Sequence, residues 1–365
     1  MAADIKPKTA LITGVTGQDG SYLASFLCAK NYIVHGVALY GASAPDDDDY
    51  RDLQAHENFR IHHADLTDSG ALWRLLAALA PDEIYNFGAQ SHVKVSFDVP
   101  EATAAINGLG TLRLLEAVRG LGLAQHVRFY QAGSSEMFGN APAPQNEDTP
   151  FAPCSPYGTS KLFAYWTVRN YRDSYGLHAS NGILFNHESP RRGDDFVTRK
   201  ITRAVAALCY GGRDAPLLLG NLDAKRDWGY APDYIEGIWM MLQREQPGDY
   251  VLATGKTRSV RDFVTAAFAA AGRHIIWRGS GVDEIALDPA SGAVLVRVDP
   301  SLFRPCEIHE LCGDASRAQT DLGWRPKTSF AEMVAIMLRH DAQHFLCDSV
   351  IMTVDAGGGM YDAAE

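Results

Sequence analysis

The first 130 residues alternate short apolar runs, rich in β-branched residues, with longer stretches whose apolar residues recur at helical spacing. This alternation is typical of consecutive βαβ units, which form a parallel sheet with helices on both faces. Strands are predicted at residues 9–12, 32–37, 59–63, 83–86 and 127–132, and helices at 22–29, 72–80 and 103–121. The predicted fold class is therefore α/β, with a doubly wound parallel sheet.

The overall charge limits the partners of the chain. Thirty-three lysines and arginines stand against 44 acidic residues, which gives a formal net charge of −11. A field of this sign does not favour nucleic acid, so an anionic ligand has to be held by arginines that are concentrated locally. No apolar run approaches the length that spans a bilayer, so we expect no membrane association. The N-terminal residues lack the features of a secretory signal, and the expected compartment is the cytoplasm.

The six cysteines are scattered along the chain. They form no CxxC pair and join no histidine cluster at metal-ligand spacing, so we expect no metal site. Reduced thiols are expected in the cytoplasm.

Three glycines lie directly after the first predicted strand and open the first helix. Gly14, Gly17 and Gly20 have the spacing GxxGxxG. The first two allow a tight turn and close approach of a pyrophosphate, and the third allows the helix to pack on the strand. The helix N-terminus adds N–H donors and positive potential. The pattern predicts a dinucleotide site, the alternative being an incidental glycine turn.

The domain prediction follows from this turn and from a change of pattern near residue 185. Residues 1–185 are predicted to form the dinucleotide-binding domain, to which part of about 225–255 returns. Residues 186–345 are predicted to form mainly a substrate lobe, with strands near 217–219 and 250–252 and helices near 198–210, 233–243 and 260–271. Residues 346–365 have weak core periodicity and are expected to be a partly disordered tail.

Two further positions bear on the dinucleotide. The end of the second strand, residues 37–40, reads Val-Ala-Leu-Tyr and is neither acidic nor basic, so it leaves NAD and NADP open. Asp65 follows the third strand, where it is placed to accept a hydrogen bond from the adenine amino group. A helix cap is the alternative role for Asp65. The acid run at residues 46–49 is interpreted as a solvated loop.

Tyr157 and Lys161 have the spacing YxxxK, which on a helix places them on one face. The ammonium group then lowers the pKa of the phenol, and a tyrosinate can take a hydroxyl proton while hydride leaves the same carbon for nicotinamide. Lys161 can also hold the ribose of the cofactor. Core packing is the alternative explanation of this spacing.

Ser134 and Glu136 follow the fifth strand, at the sheet edge where ligands of such folds bind. Ser134 can hydrogen-bond the same sugar hydroxyl as Tyr157. Glu136 can remove a proton from a carbon next to a new ketone. The alternative for Glu136 is a solvated loop acid.

These motifs together resemble the extended short-chain dehydrogenases/reductases that act on nucleotide sugars, which have a Rossmann fold. Longer blocks resemble the GDP-mannose 4,6-dehydratase family over about residues 8–341. The blocks begin at residues 86, 182, 196, 220, 304 and 313, and include Asn-Phe-Gly-Ala-Gln-Ser-His-Val and Gly-Asn-Leu-Asp-Ala-Lys-Arg-Asp-Trp-Gly.

The resemblance implies two sets of binding residues. The cofactor set is Gly14, Val15, Thr16, Gly17, Gln18, Asp19, Gly20, Asp65, Leu66, Phe87, Gly88, Ala89, Gln90, Ser91, Lys161, His187 and Arg192. The set for the GDP moiety is Asn186, Lys200, Arg226 and Arg304. A diphosphate requires such charge-assisted donors. A surface ion pair is the alternative for any single arginine.

The implied activity is that of a lyase that converts GDP-mannose, or a related GDP-manno sugar, to the GDP-4-keto-6-deoxy sugar. Tyr157, Lys161 and Ser134 serve the transient oxidation at C4, Glu136 takes the C5 proton, water leaves from C6, and hydride returns to C6. A GDP-sugar reductase or epimerase, a GDP-heptose 4,6-dehydratase and a nucleotide-sugar-binding regulator are the alternatives.

The resemblance also implies NADP as the cofactor and a homodimer or homotetramer. Relatives carry two arginines where this chain has Leu39 and Tyr40, so NAD stays possible and Arg51 is a candidate substitute. The helices predicted at residues 103–121 and 157–171 have apolar residues on more than one face and are expected to pair between subunits.

Overall fold

A computed structural model describes residues 6–303 and 306–355. Its strands are β1 (Thr9–Thr13), β2 (Ile33–Ala38), β3 (Phe59–His63), β4 (Glu83–Asn86), β5 (Arg128–Ala132), β6 (His178–Leu184), β7 (Asn186–Glu188), β8 (Leu217–Leu219), β9 (Lys225–Tyr230), β10 (Asp249–Leu252), β11 (Thr257–Ser259), β12 (Ile276–Arg278), β13 (Ile285–Leu287), β14 (Val294–Val298) and β15 (Glu310–Leu311).

Its α-helices are α1 (Gln18–Ala29), α2 (Asp48–Ala55), α3 (Ser69–Leu79), α4 (Val95–Asp98), α5 (Pro100–Thr103), α6 (Leu109–Gly120), α7 (Pro156–Tyr175), α8 (Val197–Tyr210), α9 (Ala231–Gln243), α10 (Val260–Ala270), α11 (Ser316–Leu322) and α12 (Phe330–Asp355). A π-helical turn covers Ala104–Gly108, and 3₁₀ turns cover Ser135–Met137, Gly281–Asp283 and Pro300–Leu302. In the part of the chain that the structure describes, no helix has the length and apolar character needed to cross a membrane.

The main sheet has seven strands in the order β3-β2-β1-β4-β5-β6-β10. All of its neighbouring strands are parallel, and β1 lies between β2 and β4. The chain thus winds outwards from β1 in both directions, with the carboxyl ends of the strands at one edge. The predicted fold class and the five predicted strands are confirmed.

Both faces of this sheet are buried. In β1, Ala10 and Ile12 belong to one apolar cluster, whereas Leu11 belongs to a second cluster with Leu114 and Val118 of α6. Successive side chains of a strand point to opposite faces, so a strand covered on both sides has to be apolar throughout. This requirement explains why the strands are recognisable as continuous apolar runs.

The chain divides into two compact units. Unit 1 consists of residues 1–191, 224–258 and 304–329, and unit 2 of residues 192–223, 259–303 and 330–365. Unit 1 holds the main sheet. In unit 2, a small sheet has the order β12-β13-β14-β8, and α8, α10 and α12 pack together. Within the predicted tail, α12 continues to Asp355, and residues 356–365 lie outside the described residues.

The helix predicted at residues 103–121 is not continuous. It begins earlier as α5, widens into the π-helical turn, and resumes as α6. The side chain of Asn107, in the π-helical turn, bonds outside this helix: its amide nitrogen donates to the carbonyl oxygen of Gln90 and to Oγ of Ser160, at 3.0 Å in both cases. These partners explain the bulge, because a π-turn redirects side chains at the cost of regular helical bonding.

The acid run at residues 46–49 is not simply a solvated loop. Oδ1 of Asp47 accepts a hydrogen bond from the backbone nitrogen of Tyr50 at 2.7 Å and caps α2. Asp48 and Asp49 occupy the first turn of α2, where the helix dipole favours negative charge. The guanidinium group of Arg191 also pairs with both Asp47 oxygens at 2.7 Å. Asp46, Asp48 and Asp49 are exposed as predicted, but Asp48 and Asp49 belong to a helix and not to a loop, and Asp47 is largely buried.

Candidate active site

The glycine turn between β1 and α1 forms a cradle of bare backbone. Gly14 has a φ of +69°, and a Cβ there would lie 2.9 Å from the backbone nitrogen of Gly88. A Cβ at Gly20 would lie 2.4 Å from the carbonyl oxygen of Gly14. Gly17 caps α1 without a side-chain hydrogen bond to the helix. The turn is thus closed to side chains, and the helix N-terminus faces it, as a pyrophosphate site requires.

The predicted cofactor loop after β4 is held from two sides. The backbone nitrogen of Gly88 donates to Oγ1 of Thr13 at 3.0 Å, which ties the loop to the end of β1. The backbone nitrogen of Gln90 donates to Oδ1 of Asn107 at 2.8 Å. This loop therefore lies beside the glycine turn, at the carboxyl edge of the sheet. Asn107 was not predicted from the sequence, where its only signal is a polar residue inside an apolar helical stretch.

Tyr157 and Lys161 lie on the first turns of α7, which begins at Pro156 with Ser155 as its cap. Both are buried, at 8% and 4% exposure. The ammonium nitrogen of Lys161 lies 5.8 Å from the centroid of the Tyr157 ring. It donates to the carbonyl oxygen of Ala132, at the end of β5, at 2.8 Å. The structure therefore brings the YxxxK pair to the same sheet edge as the glycine turn.

Burial lowers the pKa of Lys161 to about 8, although the nearby charge of Asp19 raises it. At neutral pH this ammonium group stays mostly charged, and it adds positive potential beside the phenol of Tyr157. A cation close to a phenol favours the phenolate form. The pair can therefore serve as the proton acceptor for a sugar hydroxyl.

Glu136 lies in the 3₁₀ turn that follows β5. Its backbone nitrogen donates to Oγ of Ser134 at 3.2 Å, so Ser134 caps the turn. Glu136 is 8% exposed. A Cβ at Gly158 of α7 would lie 2.7 Å from the backbone oxygen of Glu136. This close approach sets the turn against the helix that carries Tyr157, so the structure brings together the four predicted catalytic residues.

The side chains of Asp19 and His187 are in hydrogen-bond contact. Nε2 of His187 lies 2.9 Å from Oδ2 of Asp19, and its Nδ1 lies 2.8 Å from the carbonyl oxygen of Phe185. Nε2 of Gln18 donates to the carbonyl oxygen of His187 at 3.0 Å. Gln18 and Asp19, at the start of α1, are thus bonded to His187 of β7. All three residues are predicted to surround the dinucleotide.

Three further predicted residues of unit 1 have defined places in the fold. Oδ1 of Asp65 accepts from the backbone nitrogen of Thr67 at 2.8 Å, and the cap of α3 is Asp68. The helix-cap alternative for Asp65 is therefore wrong. Asn186 begins β7, and Arg226 of β9 is buried and donates to the carbonyl oxygen of Ile308 at 2.9 Å.

Two predicted residues belong to unit 2, and one is not described. The guanidinium carbon of Arg192 lies 3.7 Å from the centroid of the Phe196 ring. Lys200 is exposed on α8. Arg304 lies outside the described residues. The roles of all the predicted binding residues stay predictions.

The family model described as GDP-mannose 4,6 dehydratase matches residues 11–337. The chain belongs to the GDP-mannose 4,6-dehydratase family. It is 54% identical over 342 residues to a GDP-mannose 4,6-dehydratase of Sinorhizobium fredii (strain HH103), which covers 92% of this chain and 97% of the relative. It is 52% identical over 346 residues to a GDP-mannose 4,6 dehydratase of Drosophila melanogaster. This match covers 93% of this chain and 87% of the relative.

A solved structure supports the fold. The crystal structure of the dTDP-glucose 4,6-dehydratase DesIV from Streptomyces venezuelae, with NAD and TYD bound, has a TM-score of 0.77 at 24% identity. The match covers 92% of this chain and 97% of that one. At this identity the likeness concerns the fold alone. The predicted membership in the GDP-mannose 4,6-dehydratase family is confirmed by the family model and the sequence relatives.

Proposed function

We propose that this protein is a lyase that converts GDP-mannose to the GDP-4-keto-6-deoxy sugar. The observation that carries the proposal is the buried carboxylic acid Glu136, which lies on a turn packed against the first turn of the Tyr157 helix. A reductase or an epimerase of this fold needs the Tyr157 and Lys161 pair but no second base. A dehydratase needs a group that removes the C5 proton once C4 is a ketone.

A nicotinamide dinucleotide fits the glycine turn. The space around Gly14 and Gly20 excludes any Cβ, and Gly17 leads directly into the N-terminus of α1. Backbone N–H donors in such a turn suit a pyrophosphate. When bound, the nicotinamide would supply the acceptor for the C4 hydride and its later donor to C6. We propose that the ammonium group of Lys161 would hold the ribose.

The protein side chains divide the proton transfers between them. Tyr157 accepts the C4 hydroxyl proton, and the charge of Lys161 favours its phenolate form. Ser134 orients the same hydroxyl. Glu136 then takes the C5 proton, and its carboxylic acid or a water molecule protonates the leaving hydroxyl at C6. Burial of Tyr157 and Glu136 limits the access of bulk water to these steps.

For the GDP moiety we propose Asn186, Lys200, Arg226 and Arg304 as ligands. Arg226 supports the proposal because its guanidinium group is already ordered by the carbonyl oxygens of Lys225 and Ile308. A preorganised guanidinium group binds a diphosphate with a smaller loss of side-chain entropy. A GDP-heptose, the alternative substrate, differs from GDP-mannose only at the C6 end of the sugar. These four residues are proposed to bind the GDP moiety and not that end.

We propose NADP as the dinucleotide, with NAD as the alternative. Leu39 and Tyr40 are exposed at the end of β2 and carry no charge. Arg51 on α2 is exposed and pairs with Asp46 and Asp48. Exposed ion pairs of this kind contribute little to the free energy of folding, so a 2′-phosphate can compete with the two aspartates for the guanidinium group. Denaturing the purified protein and identifying the released dinucleotide tests this proposal, and recovery of NAD alone contradicts it.

We propose a homodimer or homotetramer in which α6 and α7 pair with their copies. Large apolar side chains are exposed on these two helices: Leu109 at 41%, Phe163 at 47% and Trp166 at 52%. Apolar surface of this kind, on two helices that pack together, suits an interface between copies. Light scattering at micromolar concentration measures the mass, and a monomer contradicts the proposal.

A cytoplasmic location stays the expectation from the sequence. The cysteines at positions 28, 154, 209, 306 and 312 are free thiols, which suits a reducing compartment. Fractionation of the native host cells tests the location.

The central experiment compares Glu136→Gln with the wild-type protein on GDP-mannose. Loss of the base should lower turnover by about a hundredfold or more, while GDP binding measured by calorimetry is retained. The matched control is Glu83→Gln. Glu83 is also a buried acid of unit 1, but it lies at the amino end of β4, on the opposite edge of the sheet, and pairs with Lys8. Normal turnover of Glu136→Gln refutes the assigned role.

Product analysis separates the alternative reactions. Dehydration removes one water from the substrate mass, epimerisation leaves the mass unchanged, and reduction consumes the reduced dinucleotide. In deuterated water the product should carry deuterium at C5, because the proton taken by Glu136 exchanges with solvent. A product of unchanged mass, or one without deuterium at C5, contradicts the dehydratase proposal.

A further inference from the structure

The backbone of Tyr157 is tied to a segment that is distant in the sequence. Its amide nitrogen donates to Oγ of Ser96 at 3.2 Å, across 61 positions of the chain. Ser96 lies in α4 and is fully buried, and its hydroxyl donates in turn to the carbonyl oxygen of Val93 at 2.6 Å. One hydroxyl group thus links the first turn of α7 to the segment at residues 93–96.

This bond completes the cap of α7. The N–H groups in the first turn of a helix have no partner within the helix itself. Ser155 supplies two acceptors from the local sequence: its Oγ accepts from the backbone nitrogen of Gly158 at 3.0 Å, and its carbonyl oxygen accepts from the backbone nitrogen of Thr159 at 2.9 Å. The N–H group of Tyr157 uses Ser96 instead. The start of α7 is therefore fixed by a distant residue as well as by its own cap.

The peptide group after Tyr157 is also held from outside α7. The carbonyl oxygen of Tyr157 accepts from Oγ of Ser160 at 2.7 Å, and the amide nitrogen of Asn107 donates to the same Oγ at 3.0 Å. Ser96 and Asn107 both lie between the predicted cofactor loop, residues 87–91, and α6. Tyr157 is thus held on both sides by parts of the chain that follow this loop.

Lys161 has an anchor of its own. Its ammonium nitrogen donates to the carbonyl oxygen of Ala132, which belongs to β5. Lys161 also lies one turn further along α7 than Tyr157. Loss of the Ser96 hydroxyl would therefore displace Tyr157 but leave the ammonium group in place. The present separation of 5.8 Å between the ammonium nitrogen and the centroid of the Tyr157 ring would then be lost.

We propose that Ser96 is a positioning residue for Tyr157, whose hydroxyl fixes the start of α7 against the segment that follows the predicted cofactor loop. The proposal rests on the proposed function, in which Tyr157 takes the proton of the sugar hydroxyl. Ser96 acts through the backbone of Tyr157, and no contact with the substrate is assigned to it. A reacting group that is misplaced by about 1 Å can cost up to about a hundredfold in rate. A single hydroxyl outside the set of catalytic residues is therefore expected to affect turnover.

The variant that tests the tie is Ser96→Ala, and Ser180→Ala is its matched control. Ser180 is also fully buried in unit 1, and its Oγ also accepts from a backbone nitrogen, that of Gly248, at 3.2 Å. This bond lies beside the amino end of β10, away from the carboxyl edge of the sheet that carries the candidate active site. Each variant removes one buried acceptor, so urea unfolding should show similar losses of stability.

The kinetic test uses GDP-mannose as the substrate. Ser96→Ala should lower kcat by about tenfold or more while KM stays unchanged, because a misplaced Tyr157 affects the reaction and not the binding of the GDP moiety. Ser180→Ala should keep the wild-type kcat. Ser96→Thr, which retains the hydroxyl group, should restore most of the activity that Ser96→Ala loses. A purely structural role of Ser96 would give the two alanine variants the same kcat.

Hydrogen exchange measures the tie without any substrate. An amide that leaves its acceptor exchanges with solvent through local opening of the structure. In deuterated water, mass spectrometry of peptides that cover the start of α7 should show faster uptake in Ser96→Ala than in the wild type. Uptake in the same peptides should be unchanged in Ser180→Ala.

Three results would overturn the proposal: unchanged uptake at the start of α7 in Ser96→Ala, a kcat of Ser96→Ala equal to that of the wild type or of Ser180→Ala, and a Ser96→Thr variant as slow as Ser96→Ala. A wild-type protein that leaves GDP-mannose unconverted contradicts the proposed function instead. Faster uptake in Ser96→Ala would still confirm the tie in that case, so the two failures are distinguishable.

Discussion

Replacing Lys161 with methionine should stabilise the protein without its cofactor while abolishing turnover. Burial lowers the pKa of Lys161 from 10.5 to about 8. At about 1.4 kcal/mol per pH unit, this shift corresponds to about 3 kcal/mol of destabilisation when the buried group is charged. Methionine keeps the apolar stem, but it leaves the carbonyl oxygen of Ala132 without this donor, which costs about 1 kcal/mol. The expected net gain at pH 7 is about 2 kcal/mol.

The pH dependence distinguishes this explanation from improved packing. Between about pH 8 and pH 10.5 the folded protein has lost the Lys161 proton, whereas the unfolded chain still binds it. Since the unfolded state binds more protons in this interval, the stability of the wild-type protein rises with pH relative to the variant. The advantage of Lys161→Met should therefore be largest below pH 8 and shrink as the pH rises towards 10.

The assay is urea unfolding of both proteins, stripped of dinucleotide, at pH 7 and pH 9.5. Lys256→Met, which removes an exposed lysine of unit 1, is the control for the loss of one surface charge. A Lys161→Met variant less stable than the wild type at pH 7 would refute the reasoning. A stability difference that stays the same at both pH values would do so as well.

Three further variants test other parts of the site. Gly20→Ala should lower the amount of bound dinucleotide at least tenfold, measured by extraction, because its Cβ would lie 2.4 Å from the carbonyl oxygen of Gly14. Asp47→Ala should lower the free energy of unfolding by about 2 kcal/mol, measured with urea, because it leaves the buried guanidinium group of Arg191 without its main partner. Tyr157→Phe should lower turnover by about a hundredfold or more while calorimetry shows unchanged GDP binding.

The strands and the YxxxK pair could be predicted because local sequence determines them. A strand buried on both faces, such as β1, has to be a short apolar run. Tyr157 and Lys161 share a helix, so their spacing alone places them on one face. The glycine turn was predictable for the same reason, since its function depends on consecutive residues.

The sixth strand of the main sheet was missed because its polar residues have distant partners. Ser180 and Asn181 lie in the middle of β6 and are buried. Oγ of Ser180 accepts from the backbone nitrogen of Gly248 at 3.2 Å, and the amide nitrogen of Asn181 donates to Oδ1 of Asp249 at 2.9 Å. Two adjacent polar residues interrupt the apolar pattern, and nothing near them in the sequence indicates that Gly248 and Asp249 bond to their side chains.

The π-helical turn and the start of α2 could not be predicted for a related reason. Asn107 is explained by its bonds to Gln90 and Ser160, which belong to other elements. The acid run contains a helix cap, Asp47. The burial of the Asp47 carboxylate depends on Arg191, which lies 144 positions away in the sequence. In both cases a residue that is distant in the sequence determines a local conformation that the neighbouring residues alone do not indicate.

Unit 1 is assembled from three separate stretches of chain, the last of which ends at residue 329. The carboxylate of Asp227 joins parts of these stretches, since it accepts from the backbone nitrogens of Thr254, Gly255 and Gly313 at 2.9, 2.8 and 3.2 Å. During synthesis on the ribosome, β6 and α7, the helix that carries Tyr157 and Lys161, emerge long before Gly313. The unit that contains Glu136 therefore cannot complete its fold until the stretch up to residue 329 has been translated, and a nascent chain that stops before Gly313 lacks one of the three backbone donors to Asp227.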